Sequence, residues 1–130
     1  MNLKVATKIE IKPSPGKGYG VFAIEDIEEN EVIEECHLLT LYDRNSESRI
    51  LEDYVFSWPK NEMWTESVIP LGYGCIYNHS ETPNATWKDH PSLKAFQFIA
   101  IRKILVGEEI CTFYGGSNYW NSKQKKVEVI

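Results

Sequence analysis

No cysteine of this chain stands in a C-x-x-C pair. The three present, Cys36, Cys75 and Cys111, are widely spaced and odd in number, so neither a disulfide framework nor a four-ligand zinc site is indicated. They read as reduced, buried thiols. Three histidines, His37, His79 and His90, add no ligand pair on one element, which argues against a metal-dependent enzyme and predicts no metal. No apolar run reaches the roughly 20 residues of a membrane-spanning helix, and the N-terminus lacks the charged-then-apolar order of a signal peptide. A soluble intracellular protein without a membrane partner is expected. An excess of basic residues is also missing. The formal charge is -5, and acids come in pairs at Glu28-Glu29, Glu34-Glu35 and Glu108-Glu109. That balance argues against direct nucleic-acid binding through phosphates and for a neutral or basic partner, an ordinary soluble surface being the alternative.

What is present fits one domain over 1–130, its core spanning about 7–120, with a short tail at 121–130. The chain has 130 residues and is 42% hydrophobic, enough for a single modest core. Helical periodicity is nearly absent apart from a possible turn at 72–77. Residues 3–12 alternate, placing Leu3, Val5, Thr7, Ile9 and Ile11 on one side, and predict a half-buried strand. Pro13, Pro15 and three glycines then break the chain, and Val21 to Ile24 resume as a strand. Further strands are predicted over 32–41, within 50–58, over 93–102 and over 110–115, with loop at 42–49 and irregular chain at 59–67. The fold class is mainly β.

Three stretches are hard to explain as ordinary core or surface. KGYG (17–20) alternates glycines around Tyr19, which permits positive φ and close backbone approach. GYGCIYNHSETPNA (72–85) brings Asn78 and His79 to the edge of an apolar run and then turns away at Pro83-Asn84. GEEICTFYG (107–115) closes the strand pattern. Each alone is also explained by a glycine hairpin, a polar turn with a satisfied histidine, and an ordinary strand.

In that order, and with LEDYVFS at 51–57 and YW at 119–120, these motifs resemble the SET domain of protein lysine methyltransferases. The likeness is greatest to the minimal SET proteins of large DNA viruses and some microbes. It implies a SET fold of several small curved sheets, with the last strand tucked under a preceding loop as a C-terminal pseudoknot. It also implies S-adenosyl-L-methionine as methyl donor, bound by Lys17, Gly18, Tyr19, Tyr54, Asn78, His79 and Trp120. Tyr114 would be the catalytic tyrosine, at a substrate channel formed with Tyr54, Tyr77 and Phe113. Cys75 stands where the family often carries arginine, and the cysteine-rich zinc flanks of larger relatives are missing. The tail with Tyr119 and Trp120 would then cover the adenine and the channel. The substrate implied is a basic, lysine-bearing protein such as histone H3. A homodimer is expected, with Trp58 and Trp64 as contacts, in the host nucleus if the source is viral and otherwise in the cytoplasm.

Methyl transfer to a lysine amine is an in-line displacement, so alignment matters more than a strong base. Presenting the amine neutral at pH 7 costs about 4.6 kcal/mol from a reference pKa of about 10.4. A narrow, ring-lined channel lowers that cost by desolvation. A hydroxyl at Tyr114 would orient the amine. The competing reading from another class is a catalytically silent SET fold that only binds peptide or cofactor.

Overall fold

Nine short strands organise the residues that the computed structural model describes, 2–41, 54–60 and 66–114. They are β1 (Ile9–Ser14), β2 (Gly18–Ala23), β3 (Val32–Leu41), β4 (Phe56–Trp58), β5 (Glu66–Pro70), β6 (Asn78–His79), β7 (Ala85–Asp89), β8 (Ala95–Ala100) and β9 (Glu109–Thr112). One sheet runs β1-β2-β9-β6 and the other β4-β5-β3-β8-β7. Every pairing is antiparallel except β6 with β9, where Asn78 faces Cys111 and His79 faces Thr112 in parallel. The described residues contain no α-helix, as the mainly β reading requires, and no helix long and apolar enough to cross a membrane.

The first strand differs from its expectation. It begins at Ile9 and continues through Pro13, and of the predicted inner face only Ile9 is buried, while Val5 is 77% exposed. Pro13 is tolerated because β1 is an edge strand, hydrogen-bonded to β2 alone. Residues 15–17, rather than all of KGYG, form the hairpin turn, closed by the Lys17 amide on the Ser14 carbonyl at 2.9 Å. Gly18 to Gly20 therefore already belong to β2, with Gly18 at φ 75° where the strand leaves the turn.

Besides the two-residue β6, two strands were not expected. Glu66–Pro70 lies partly in the stretch read as irregular, yet β5 sits between β4 and β3 and is paired on both sides. Ala85–Asp89 follows the Pro83-Asn84 turn directly and pairs with β8. Both are short and only half apolar, so partners rather than pattern make them strands. The strand predicted over 93–102 is confined to Ala95–Ala100, and the last strand ends at Thr112 before Phe113 and Tyr114. Expectations for 42–49, for 50–53 and for Trp64, Tyr119 and Trp120 lie outside the described residues.

Val21, Ile27, Ile104, Ile110, Phe96 and Phe98 fill the core between the sheets. A register shift between Val32 and Glu34 in the β3–β8 ladder breaks strict alternation, so Ile33 and Glu34 are both buried. Glu34 accepts the Tyr77 hydroxyl at 2.6 Å, and the Tyr77 ring stacks on Phe98 with centroids 4.7 Å apart. Burial pushes the Glu34 carboxyl above its ordinary value of 4.5, partly offset by the Tyr77 bond. A raised carboxyl in the fold binds its proton more tightly than in the unfolded chain. Its contribution to stability is thus present below pH 4.5 and lost as pH rises through the raised value. Glu34→Gln keeps an oxygen for Tyr77 and removes the titration. Its melting temperature should fall less steeply than that of the parent between pH 4.5 and neutrality, each unit of raised pKa being worth about 1.4 kcal/mol. Calorimetry across that range checks this, and parallel curves would contradict it.

Candidate functional site

Two residues of β6 carry the site because β6 lies beside β9, and β9 in turn lies beside β2. That order joins the three motifs, which lie far apart along the chain. Asn84 secures the arrangement from below. It is 3% exposed, its side-chain oxygen accepts the Cys111 amide at 2.8 Å, and its side-chain nitrogen donates to the Glu109 carbonyl at 2.8 Å. Read in sequence as a turn residue, Asn84 is a clamp on β9; its side chain stands in for the ladder bonds that the two-residue strand β6 cannot make.

Asn78 projects toward the first hairpin. Its side-chain nitrogen donates to the Tyr19 carbonyl at 3.0 Å and to Glu109 Oε2 at 2.7 Å. Both neighbours are pure acceptors, so the amide can point only one way round. The other Glu109 oxygen accepts the Ser14 hydroxyl at 2.8 Å. Gly20 is required here, since a Cβ on it would lie 2.4 Å from Glu109 Oε2 and 3.0 Å from Asn78 Nδ2. KGYG thus contributes a carbonyl and a missing side chain.

His79 holds the chain that leaves β9. Its Nδ1 accepts the Tyr114 amide at 2.9 Å, which leaves the ring proton on Nε2, 3.4 Å from Glu81. The imidazole lies 5.2 Å from the Phe113 ring and 5.3 Å from the Tyr114 ring. The Tyr114 hydroxyl donates to the Tyr77 carbonyl. Asn78, His79 and Tyr114 are therefore brought together, as the expected knot demands. The part of that knot after Tyr114 falls outside the described residues.

The remaining expected site residues are placed less uniformly. Tyr19 and Phe113 are exposed near this edge, at 65% and 40%. Lys17 is exposed in the hairpin turn. Tyr54 is exposed, and its carbonyl accepts the Cys75 thiol. The Tyr77 side chain is 2% exposed and engaged with Glu34, so what it presents to Tyr114 is its backbone carbonyl. Trp58, expected as an exposed contact, is instead half-buried against the core with Lys94 5.1 Å over its ring. Glu109 went unremarked as a site residue in the sequence, although it stands in the quoted GEEI.

The cysteines have no nucleophilic setting. Burial pushes Cys75 and Cys111 up to about 11, and Cys36 further still, so none is a thiolate at neutral pH. Two of the paired acids face cations of the same chain, Glu28 3.4 Å from Lys103 and Glu108 3.6 Å from Arg102, and Glu35 lies 3.3 Å from the His90 ring.

The chain is mainly β and folds three separated motifs around a parallel β6–β9 pairing. Residues 18–115 match the SET domain, and the chain belongs to the SET domain family. Among its relatives, the Schizosaccharomyces pombe histone-lysine N-methyltransferase specific for H3 lysine-37 is 29% identical over 115 residues, 85% of this chain and 76% of that protein. The Saccharomyces cerevisiae histone-lysine N-methyltransferase specific for H3 lysine-36 is 35% identical over 90% of this chain, but the chain spans only 17% of its length. The crystal structure of a candidate histone methyltransferase from Plasmodium falciparum superposes with a TM-score of 0.73 at 34% identity, covering 88% of this chain and 99% of that one.

Proposed function

We propose that this chain is a protein-lysine N-methyltransferase that uses S-adenosyl-L-methionine and acts on a lysine of histone H3. The observation that carries the reading is the convergence of Asn78, His79 and Tyr114 at the β6–β9 pairing. The relatives named for H3 lysines support the substrate class.

The residues fit the donor. With both Asn78 amide protons taken by Tyr19 and Glu109, its oxygen is left as an acceptor suited to an ammonium group. The exposed ring of Tyr19, next to a Gly18 with open space around it, suits a flat base. Asn78, the His79 backbone and residues 17–19 would hold the donor, with Tyr54 and Trp120 as further candidates. When bound, the donor supplies a methyl group activated on a sulfonium.

The chain's own residues then have three tasks. His79 fixes the backbone of Tyr114 through Nδ1, which sets where the phenol begins. The Tyr77 carbonyl takes the phenolic proton, so the Tyr114 oxygen meets a lysine amine as an acceptor and aligns it through an N–H. Phe113 and Tyr54 would line the approach and disfavour the ammonium by excluding water. Self-association into a homodimer, which the resemblance to minimal SET proteins implies, would use rings other than Trp58. Action on H3 implies a nuclear setting.

Incubation with methyl-labelled donor and full-length histone H3, read by mass spectrometry, should give methylated lysine. Donor binding with no methyl transfer to any basic protein would support the silent module instead. Absence of donor binding would remove the reading altogether.

A further inference from the structure

Glu109 ties the candidate donor residue Asn78 to Ser14 and Asn84. Its Oε2 takes one Asn78 amide proton at 2.7 Å, its Oε1 takes the Ser14 hydroxyl at 2.8 Å, and its backbone carbonyl takes the Asn84 side chain at 2.8 Å. A neutral amide has two faces that differ by a half-turn, and the Tyr19 carbonyl alone restrains only one of the two protons. A carboxylate at the second proton makes the flipped state costly, because it would set the Asn78 oxygen against negative charge. The absence of a Cβ at Gly20 gives this carboxylate its space.

We infer that Glu109 is a positioning residue: it locks the Asn78 side-chain amide so that an acceptor oxygen faces a cationic ligand group. This rests on the reading of Asn78 as a donor-binding residue. It has a consequence for specificity. A site with the Asn78 oxygen outward prefers the ammonium form of an amino-acid end over an analogue that lacks the amine. Without the carboxylate, only the Tyr19 carbonyl would oppose the flipped amide, and that preference would shrink.

The test uses the full chain and has two arms. In the first, calorimetric affinity for S-adenosyl-L-methionine is compared with that for its deaminated analogue. Glu109→Ala should weaken donor binding by about tenfold, the loss of one charge-assisted hydrogen bond, and narrow the ratio between the two ligands. Glu109→Gln can still offer its amide oxygen to Asn78, and should recover affinity to within about threefold. Should Glu109→Ala fail to fold, Glu109→Leu keeps bulk at the position, removes the acceptor, and should move affinity and ratio the same way. In the second arm, the side-chain amide protons of Asn78 are followed by NMR without ligand. One of them should lie downfield in the parent and in Glu109→Gln, and move back in Glu109→Ala or Glu109→Leu. If the parent fails to bind the donor, the functional reading falls while the NMR arm still tests the lock. Unchanged Asn78 resonances, or a lowered melting temperature with affinity ratio intact, would overturn the positioning role and leave Glu109 as a tie between strands.

Discussion

Tyr114→Phe is expected to lower turnover at least about 100-fold, equivalent to roughly 2.7 kcal/mol of transition-state stabilisation, while donor affinity stays near that of the parent. The variant deletes one oxygen and keeps the ring. The ring's contacts with His79, and the amide bond from Tyr114 to His79 Nδ1, are both retained. The bond lost is the one to the Tyr77 carbonyl, and the cost to stability should be about 0.5–1.5 kcal/mol. Ring packing serves ground and transition states alike, whereas a hydroxyl that aligns the amine acts along the line of attack. Single-turnover rates and melting curves on one preparation separate the two roles. Near-normal methyl transfer with lowered stability would make Tyr114 a structural tyrosine.

Asn78→Ala should weaken binding of S-adenosyl-L-methionine by about 100-fold, or roughly 2.7 kcal/mol, because it removes the acceptor that faces the ligand. Unlike an isolated surface residue, Asn78 also satisfies Tyr19 and Glu109 from within the fold. A loss of about 1–3 kcal/mol in stability should therefore accompany the change, from two acceptors left without their donor. Chemical denaturation and calorimetric titration give both quantities. A destabilised protein that binds the donor as before would return Asn78 to the role of a turn residue. A protein that keeps its stability and loses binding would mean that the Tyr19 and Glu109 bonds contribute little to the fold.

Much of this site was legible before any coordinates. KGYG, YNHSETPN and GEEICTFYG could be marked because each holds polar or glycine residues where a simple strand pattern would place apolar ones. Partners were less visible. Asn84 and Glu109 read as a turn former and a surface acid, since nothing local distinguishes a carboxylate in water from one accepting the Ser14 and Asn78 side chains. Tyr77 resembled a channel ring for the same reason, and its side chain is placed by Phe98 and Glu34 on strands remote in sequence.

By itself the sequence determined the class. Short apolar runs punctuated by glycine and proline cannot build long helices, and the motif order is a property of the chain alone. Only the tertiary structure decided which strands neighbour which. β5 and β7 exist because paired partners satisfy their backbone groups, and Asn78 meets Tyr19 because β9 lies between β2 and β6. Pairing over such separations depends on hydrogen bonds between residues 31 to 95 positions apart, and no local propensity encodes which of them will meet.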